Sequence, residues 1–257
     1  MQKPVARSFV DRILPPVSRP VGFRGWVVTF AAAMFAITIP LFLILGNVEY
    51  VTKSDWLYSY NWWRNGIPER TNLPVSQLDR GSEQIKDYFT NDAELLDLRV
   101  NFKGQEISLY KEREVLHMVD VKGLMQGVFA LVRVLGLVAL VIAFAGLVYF
   151  KRNFWDFLML TLRWSALGSG VIVGAFAVAI LIDFNYVFRQ FHFLSFANDL
   201  WLLDPYRDYL IIMFPQRFFF EATVFIAILS VAQFALLMFA ADLARKRIAR
   251  DAADQAG

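Results

Sequence analysis

Residues 123–150 read GLMQGVFALVRVLGLVALVIAFAGLVYF, an apolar run in which Arg133 is the only charged side chain. A helix that crosses the hydrocarbon core of a bilayer, about 30 Å thick, needs about 20 apolar residues. This run is longer than that, so we interpret it as a transmembrane helix.

Three more runs of similar length contain no charged residue at all: Gly25–Val48, Trp164–Ile182 and Ala222–Ala241. Of the 257 residues, 57 % are hydrophobic and 16 % aromatic, which exceeds the content of an average soluble domain. We therefore predict an all-α integral membrane protein, a single membrane domain over residues 1–257 with four transmembrane helices at about 25–48, 123–150, 164–182 and 220–241. The first run follows too long a polar prefix for a cleaved signal peptide, and we expect it to remain as an anchor.

Basic residues flank these runs unequally, and cytoplasmic segments are the ones enriched in Lys and Arg. The basic residues are Lys3, Arg7, Arg12, Arg19 and Arg24 before the first run, Lys151, Arg152 and Arg163 between the second and third, and Arg245, Lys246, Arg247 and Arg250 after the fourth. This pattern predicts cytoplasmic termini and external loops at about 49–122 and 183–219. Because these positions explain the net charge of +3, we do not expect a nucleic-acid partner.

The first external loop contains patterns of ordered structure. Apolar residues at helical spacing, including Ile85, predict a short amphipathic helix over 76–88, begun by a serine cap at Ser76. Alternating residues over 98–109 around Lys103-Gly104 predict a hairpin. The loop should therefore form a small ordered cap. The chain has no cysteine, which excludes disulfides, thiolate nucleophiles and cysteine-bound metals.

Two histidines are the main candidates for chemistry. Glu114, His117 and Asp120 lie three residues apart on a predicted helix that leads into the second run, so a carboxylate could orient the imidazole. His192 lies in the second external loop, and the predicted topology puts both histidines at the same membrane face. The alternative is that each is an interfacial residue whose ring is satisfied by a structural hydrogen bond.

A metal site is a further alternative, because Glu114 and His117 form half of the Glu-x-x-His pair of helix-bundle dimetal proteins. His192, with Asp199 or Asp120, could complete a zinc site, although the spacing matches no strong zinc signature. No second Glu-x-x-His motif occurs. We predict no metal and no cofactor.

Arg133 lies inside the second apolar run, where an unpaired charge costs about 3 kcal/mol or more. Asp183, Glu49 and Glu221 lie near the external ends of the other runs and are candidate partners. Such a pair would either line a polar pocket or fix helix packing.

Two motifs together resemble the lipoprotein intramolecular transacylases, the Lit family. They are Glu114, His117, Met118, Asp120, Val121 and Lys122 before one run, and Phe191, His192, Phe193, Asn198, Asp199, Trp201, Asp204, Pro205, Asp208, Phe214 and Pro215 before another. The resemblance covers most of the chain, including the Tyr-rich stretch Leu57–Tyr60, and the His-Met-x-Asp-Val-Lys run is its most specific part.

The resemblance implies an enzyme of the bacterial cytoplasmic membrane that works at the extracytoplasmic face on diacylglyceryl-modified lipoproteins. It would move the sn-2 acyl chain to the α-amine of the N-terminal cysteine, giving a lyso-form lipoprotein. We expect His117 to be the general base, oriented by Glu114 or Asp120, and His192 to polarise the ester carbonyl or protonate the leaving oxygen, although these roles could be exchanged.

Other motif members receive supporting roles by the same resemblance. Lys122, Arg133 and Arg217 would bind glyceryl or peptide oxygens, and Asp199, Trp201 and Asp208 would shape the second loop around the lipid head. Two other classes stay open from the residues alone: a metal-dependent membrane hydrolase, and a transporter or assembly subunit in which Arg133 and the histidines line a pathway.

Overall fold

The computed structural model describes residues 22–254, and most of this part of the chain is helical. Its four long helices contain the four apolar runs. They are α1 (Gly22–Lys53), α5 (Glu112–Phe150), α6 (Phe154–Ser195) and α8 (Gln216–Asp254). The predicted basic prefix from Lys3 to Arg19 lies outside the described residues.

Within residues 22–254, three continuous helical stretches are long and apolar enough to cross a membrane: Arg24–Lys53, Glu112–Ser195 and Gln216–Asp251. The middle stretch contains both α5 and α6, joined by a 3₁₀ turn at Lys151–Asn153. Only 6 % of its most apolar window is buried, so the apolar side chains face outward. Apolar helices with so little internal burial are expected where lipid is the solvent, and the chain is a helical membrane protein.

The described residues group into two compact units. The first consists of residues 22–43, 134–175 and 231–254. Its core contains Phe35, Ile39 and Leu162. The Ser165 hydroxyl donates to the Ala36 carbonyl over 2.7 Å, a polar contact between α6 and α1.

The second unit consists of residues 44–133 and 176–230 and contains the shorter elements. These are α2 (Asp55–Arg64), α3 (Ile67–Thr71), α4 (Val75–Tyr88), β1 (Arg99–Phe102), β2 (Gln105–Ser108) and α7 (Tyr209–Met213). Trp62, Leu78, Leu98 and Met213 are fully buried in one hydrophobic core. Burial of these large side chains orders a segment that has no long apolar run of its own.

Helix α4 covers the segment for which the apolar spacing predicts a helix, and Leu78, Ile85 and Tyr88 form its buried face. The predicted serine cap is wrong. The helix begins at Val75, and the Pro74 carbonyl accepts the first hydrogen bonds, from the amides of Gln77 and Leu78, at 2.9 and 3.3 Å. Pro74 has the extended backbone of an N-cap residue, with φ of −67° and ψ of 154°, and its ring fixes that φ.

Strands β1 and β2 pair antiparallel, with Phe102 opposite Gln105. Lys103 and Gly104 form the turn with φ of 53° and 87°. Two positive φ values in a two-residue turn match the right-handed twist of the strands, and Gly104 adopts its value without strain. Val100 is fully buried, so this strand packs one face on the core.

A candidate active site at two histidines

His117 lies on α5, and the helix runs without a break from Glu112 to Phe150. His192 lies near the end of α6, which has a non-helical residue at Asp183. The Asp183 carboxylate accepts the amide of Tyr186 over 2.9 Å, so it caps a restarted helix that contains His192. The two imidazole rings lie 6.2 Å apart, centre to centre, and both residues are more than 90 % buried.

The His192 ring has a defined orientation. Its Nδ1 lies 2.7 Å from the carbonyl oxygen of Phe188, one turn earlier. A carbonyl only accepts, so Nδ1 carries the hydrogen and Nε2 of the neutral ring keeps its lone pair. Phe188 contacts one side of the ring at 4.4 Å, and Trp201 packs at 5.0 Å.

The His117 ring is held by packing rather than by a hydrogen bond. The ring of Phe196 meets it edge-on at 5.2 Å. Its Nδ1 is buried and has no hydrogen-bond partner within residues 22–254. The carboxylate contact expected for this ring from the helical spacing is therefore not present.

Glu114, the first predicted orienting group, has a different role. The side chain is fully buried, and its two oxygens accept the backbone amides of Lys111 at 2.9 Å and Leu210 at 2.6 Å. The first contact is the backward half of a capping box, in which a Glu three residues after the N-cap binds the N-cap amide. The second attaches the start of α7. Neither oxygen contacts the His117 ring, so the contact through which Glu114 is predicted to orient His117 is not present in the described residues.

Asp120, the second predicted orienting group, accepts a hydrogen bond from the Asn198 amide over 2.9 Å. It affects His117 through its charge. The pKa of His117 is lowered to about 4, mainly by burial and to a smaller extent by the nearby His192, while the Asp120 carboxylate acts in the opposite direction. Burial also lowers the pKa of His192, opposed by the hydrogen bond to Phe188. Both rings are therefore neutral at pH 7.

The start of α5 holds the loop that follows α6. The Arg113 guanidinium donates to the carbonyls of Asp199 and Leu200. Lys111 forms an ion pair with Asp208 at 2.8 Å, and the other Asp208 oxygen accepts the Asp204 amide at 2.7 Å. Asp208 thus holds the loop through its carboxylate, whereas Asp199 does so through its backbone carbonyl. Their predicted role around the lipid head stays a prediction.

Trp201 lies between two aromatic neighbours of the site. Its ring is 5.0 Å from His192 and 5.0 Å from Phe193. Its Nε1 is buried and, like Nδ1 of His117, has no hydrogen-bond partner in the described part of the chain. Two unmatched polar nitrogens thus lie on residues that both pack near His192, where buried polar atoms are normally paired.

The cationic candidates make other contacts. The Lys122 ammonium donates to the Ala93 carbonyl over 2.6 Å and lies over the Tyr88 ring at 4.3 Å, which ties α5 to the segment after α4. Arg217 pairs with Glu221 at 3.0 Å. The contacts of these two cations are structural and do not include either histidine.

Arg133 has no ion pair within residues 22–254, and its predicted partners are engaged elsewhere. Glu49 pairs with Lys53, Asp183 accepts the Tyr186 amide, and Glu221 pairs with Arg64 and Arg217. The predicted partnership is therefore wrong. Each carboxylate contacts a group within four residues of it in sequence, because residues three or four apart on a helix are neighbours.

A metal site receives no support from the donor geometry. No group of three or more His, Asp or Glu side chains that could hold a metal ion occurs between residues 22 and 254. Glu114 and Asp120, the two acidic candidates on α5, already accept hydrogen bonds from protein donors.

The sequence patterns did not predict the contacts of Phe188, Phe196, Lys111 and Arg113 at the site. The carbonyl of Phe188 lies one helical turn before His192, so helical spacing alone would have placed it within reach of the ring. Nothing in the local sequence marks the contacts of Arg113, because its partners lie 86 and 87 residues away.

Long apolar helices with outward-facing side chains, together with paired neutral histidines in the second unit, define a helical membrane protein with a candidate acid–base site. The sequence model of the lipoprotein intramolecular transacylase Lit matches residues 33–219, most of the chain. The chain belongs to the lipoprotein intramolecular transacylase (Lit) family, which confirms the family predicted from its motifs.

Relatives agree in sequence and in fold. A protein of Aquifex aeolicus (strain VF5), described as uncharacterized, is 31 % identical over 202 residues, covering 75 % of this chain and 82 % of its own. The membrane-integral lipoprotein intramolecular transacylase Lit from Bacillus cereus has a similar fold, with a TM-score of 0.72 at 19 % identity over 87 % of this chain and 98 % of its own. Its variant with a histidine-to-arginine mutation gives 0.71 at 19 % identity, over 89 % and 96 %.

Proposed function

We propose that this chain is a lipoprotein intramolecular transacylase. It moves the sn-2 acyl chain of an S-diacylglyceryl cysteine to the α-amine of the same cysteine and leaves a lyso-form lipoprotein. The observation that supports this best is the pair of buried histidines 6.2 Å apart, both inside the region that matches the family. No metal or cofactor is part of the proposed reaction.

The reaction converts an ester into an amide. The amine nitrogen forms a bond to the ester carbonyl carbon, the bond from that carbon to the glyceryl oxygen breaks, and one proton passes from nitrogen to the glyceryl oxygen. The α-ammonium, with a pKa near 8, must first lose a proton. The site therefore needs a neutral base and a donor for the developing oxyanion.

From the sequence we expect His117 as the base, with exchange of roles allowed, and the contacts of His192 favour the exchange. Its Nδ1 hydrogen is held by the Phe188 carbonyl, so Nε2 is free to take a proton from the attacking amine. The same nitrogen then returns that proton to the glyceryl oxygen as the carbon–oxygen bond breaks. His192 thus ends the cycle neutral, as it began.

His117 suits the role of hydrogen-bond donor to the developing oxyanion. Its pKa of about 4 keeps the ring neutral at working pH, and a neutral imidazole N–H can donate to an oxyanion without first losing a proton. The indole N–H of Trp201 is a second candidate donor, because it is buried beside His192 and unpaired within residues 22–254. Two donors would stabilise the tetrahedral intermediate better than one.

We further propose that the four apolar runs cross the bacterial cytoplasmic membrane, with spans at about 25–48, 123–150, 164–182 and 220–241 and both termini in the cytoplasm. The histidines then lie at the outer face, and lipid chains enter laterally from the outer leaflet. Both reacting groups belong to one substrate molecule, so proximity lowers the barrier.

The absence of cysteine makes this topology easy to test. Gln105→Cys in the hairpin and Arg152→Cys between α5 and α6 are exposed positions for single-cysteine labelling in intact spheroplasts. A membrane-impermeant maleimide should label the first and not the second. The reverse pattern would contradict the proposed orientation.

The activity test uses purified protein and a synthetic diacyl lipopeptide with different acyl chains at sn-1 and sn-2. Tandem mass spectrometry should locate the sn-2 chain on the cysteine nitrogen after incubation with the wild type. His192→Ala and His117→Ala should abolish or strongly reduce this product. Arg207→Ala is the matched control, because its side chain is 80 % exposed on the loop after Trp201.

Folding of each variant is checked by its thermal unfolding in detergent. Folded wild-type protein that leaves the lipopeptide unchanged would refute the proposal. Release of free fatty acid would instead identify a hydrolase. Transfer of the sn-1 chain to the cysteine nitrogen would refute only the proposal that the sn-2 chain is the one transferred.

A further inference from the structure

The side of α8 that meets α2 presents a second feature, which is independent of the proposed reaction. Arg64 on α2 and Arg217 on α8 both contact one carboxylate oxygen of Glu221, at 3.4 and 3.0 Å. Each arginine uses its Nε for this contact. Their terminal guanidinium nitrogens have no partner within residues 22–254, and the side chains are 38 % and 52 % exposed.

The three charges do not cancel, since two guanidiniums and one carboxylate leave a net charge of +1. A simple structural bridge between two helices needs only one arginine. A planar guanidinium binds two oxygens of a phosphate through two parallel hydrogen bonds. Here the terminal nitrogens of both arginines are available for such bonds.

Aromatic residues continue this site in one direction. On α2, Trp56, Tyr60 and Arg64 recur at every fourth residue and therefore share a face. On α8, Phe225 follows Glu221 by one turn, and its ring meets Tyr60 at 5.4 Å and Trp56 at 5.2 Å. The two helices thus place arginines at one end of a stripe and aromatic rings at the other.

The aromatic end of the stripe leads into the apolar part of α8. Phe225 lies inside the charge-free run Ala222–Ala241, whereas Arg217 precedes it. Trp63, next to Arg64, is 78 % exposed and packs on Tyr60 at 6.3 Å. An exposed tryptophan and a partly buried tyrosine beside the end of an apolar run are typical of the level of the lipid headgroups.

We propose that Arg64 and Arg217 bind the phosphate of an anionic membrane phospholipid whose glycerol and acyl chains lie along Trp56, Tyr60 and Phe225. The charged end matches a phosphodiester, and the aromatic end matches the start of a hydrocarbon chain. A free phosphate ion would use only the first half of this stripe. The diacylglyceryl substrate has no phosphate, so the bound molecule is a lipid other than the substrate.

The test measures lipid binding to the full-length protein by native mass spectrometry and thermal unfolding in detergent. The probes are dioleoylphosphatidylglycerol, dioleoylphosphatidylcholine and inorganic phosphate. Wild type should retain phosphatidylglycerol in preference to phosphatidylcholine and be stabilised by it. The double variant Arg64→Gln/Arg217→Gln should bind phosphatidylglycerol about tenfold or more weakly, because it loses charge-assisted hydrogen bonds.

Two further variants separate lipid binding from a structural ion pair. Glu221→Gln removes the competing negative charge, so it should strengthen phosphatidylglycerol binding, whereas loss of a purely structural bridge would not. Arg64→Lys/Arg217→Lys keeps the charge and should retain the preference in part. Arg207→Gln is the control for an exposed arginine elsewhere and should bind as wild type.

Four results would overturn the proposal: equal retention of both lipids by the wild type, the same stabilisation by inorganic phosphate, weaker binding after Glu221→Gln, or wild-type binding by the double glutamine variant. A rise in KM for the lipopeptide in the double glutamine variant, measured without phospholipid, would show that the arginines bind the substrate instead. That result would also overturn the proposal.

Discussion

Glu114 allows a sharp test of how the site is built, because both of its carboxylate oxygens accept backbone amides. Glu114→Ala leaves the amides of Lys111 and Leu210 without an acceptor. Both hydrogen bonds are partly buried, and a bond of this kind contributes about 0.5–1.5 kcal/mol, so the alanine variant should lose about 1–3 kcal/mol of stability. Glu114→Gln keeps one acceptor oxygen and should lose about half as much.

The assay is denaturant unfolding in detergent, followed by tryptophan fluorescence, beside acyl transfer measured well below the unfolding midpoint. Glu112→Ala is the matched control, because that acidic side chain is exposed in the same helical turn. It should stay within about 0.5 kcal/mol of the wild type. Activity of the Glu114 variants should fall together with their stability, since the Leu210 amide lies in α7, directly after the loop that contains Trp201.

A different result would return Glu114 to a role in catalysis. If Glu114→Gln unfolds at the same denaturant concentration as Glu112→Ala but loses a hundredfold in kcat, the carboxylate acts on His117 rather than on the two amides. Equal stability of all variants with full activity would refute the role of Glu114 in holding the loop.

Three further predictions concern the histidines and their neighbours. Nitrogen NMR of the two histidines, in protein with a tag free of histidine, should show the His117 ring neutral down to about pH 5, since its pKa is about 4. In the unfolded chain His117 has a pKa near 6.5 and binds more protons than in the folded chain as the pH falls toward 4. The contribution of His117 to stability is therefore full well above pH 6.5 and falls by about 3 kcal/mol toward pH 4. Half-protonation of His117 at pH 6.5 would contradict both statements. Trp201→Phe keeps the ring packing but removes the N–H, and should lower kcat about tenfold or more with little change in unfolding; unchanged kcat would exclude it as a donor. Asn198→Ala removes the donor to Asp120 and should destabilise the loop by about 1 kcal/mol, which hydrogen exchange near Trp201 would measure. Unchanged hydrogen exchange there would contradict this prediction.

Local patterns predicted several elements well, because their causes lie within a few residues. Charge-free runs of about twenty residues indicate membrane helices whatever the rest of the chain does. The two-residue turn at Lys103-Gly104 needs positive φ at both residues, and Gly104 adopts its value without strain. The helical spacing of Glu114, His117 and Asp120 was also right, since all three lie on α5.

The partners of those same residues could not be predicted in this way. Helical spacing indicates that a carboxylate is near an imidazole, but it does not show which donors from elsewhere compete for the carboxylate. Glu114 meets an amide 96 residues away, and Asp120 meets Asn198, 78 residues away. Asn198 lies in the loop between α6 and α7, and Leu210 lies in α7 itself. The path of this segment depends on how the second unit packs.

The sequence by itself determined that the chain is a helical membrane protein of the lipoprotein intramolecular transacylase family, since hydropathy and motif residues are properties of the linear chain. Tertiary structure alone decided the distance between the histidines, the orientation of His192 by Phe188, the capping role of Glu114 and the pairing of Arg64 with Glu221. A hydrogen bond depends on distance and direction to within a few tenths of an ångström, and only the packed chain defines these.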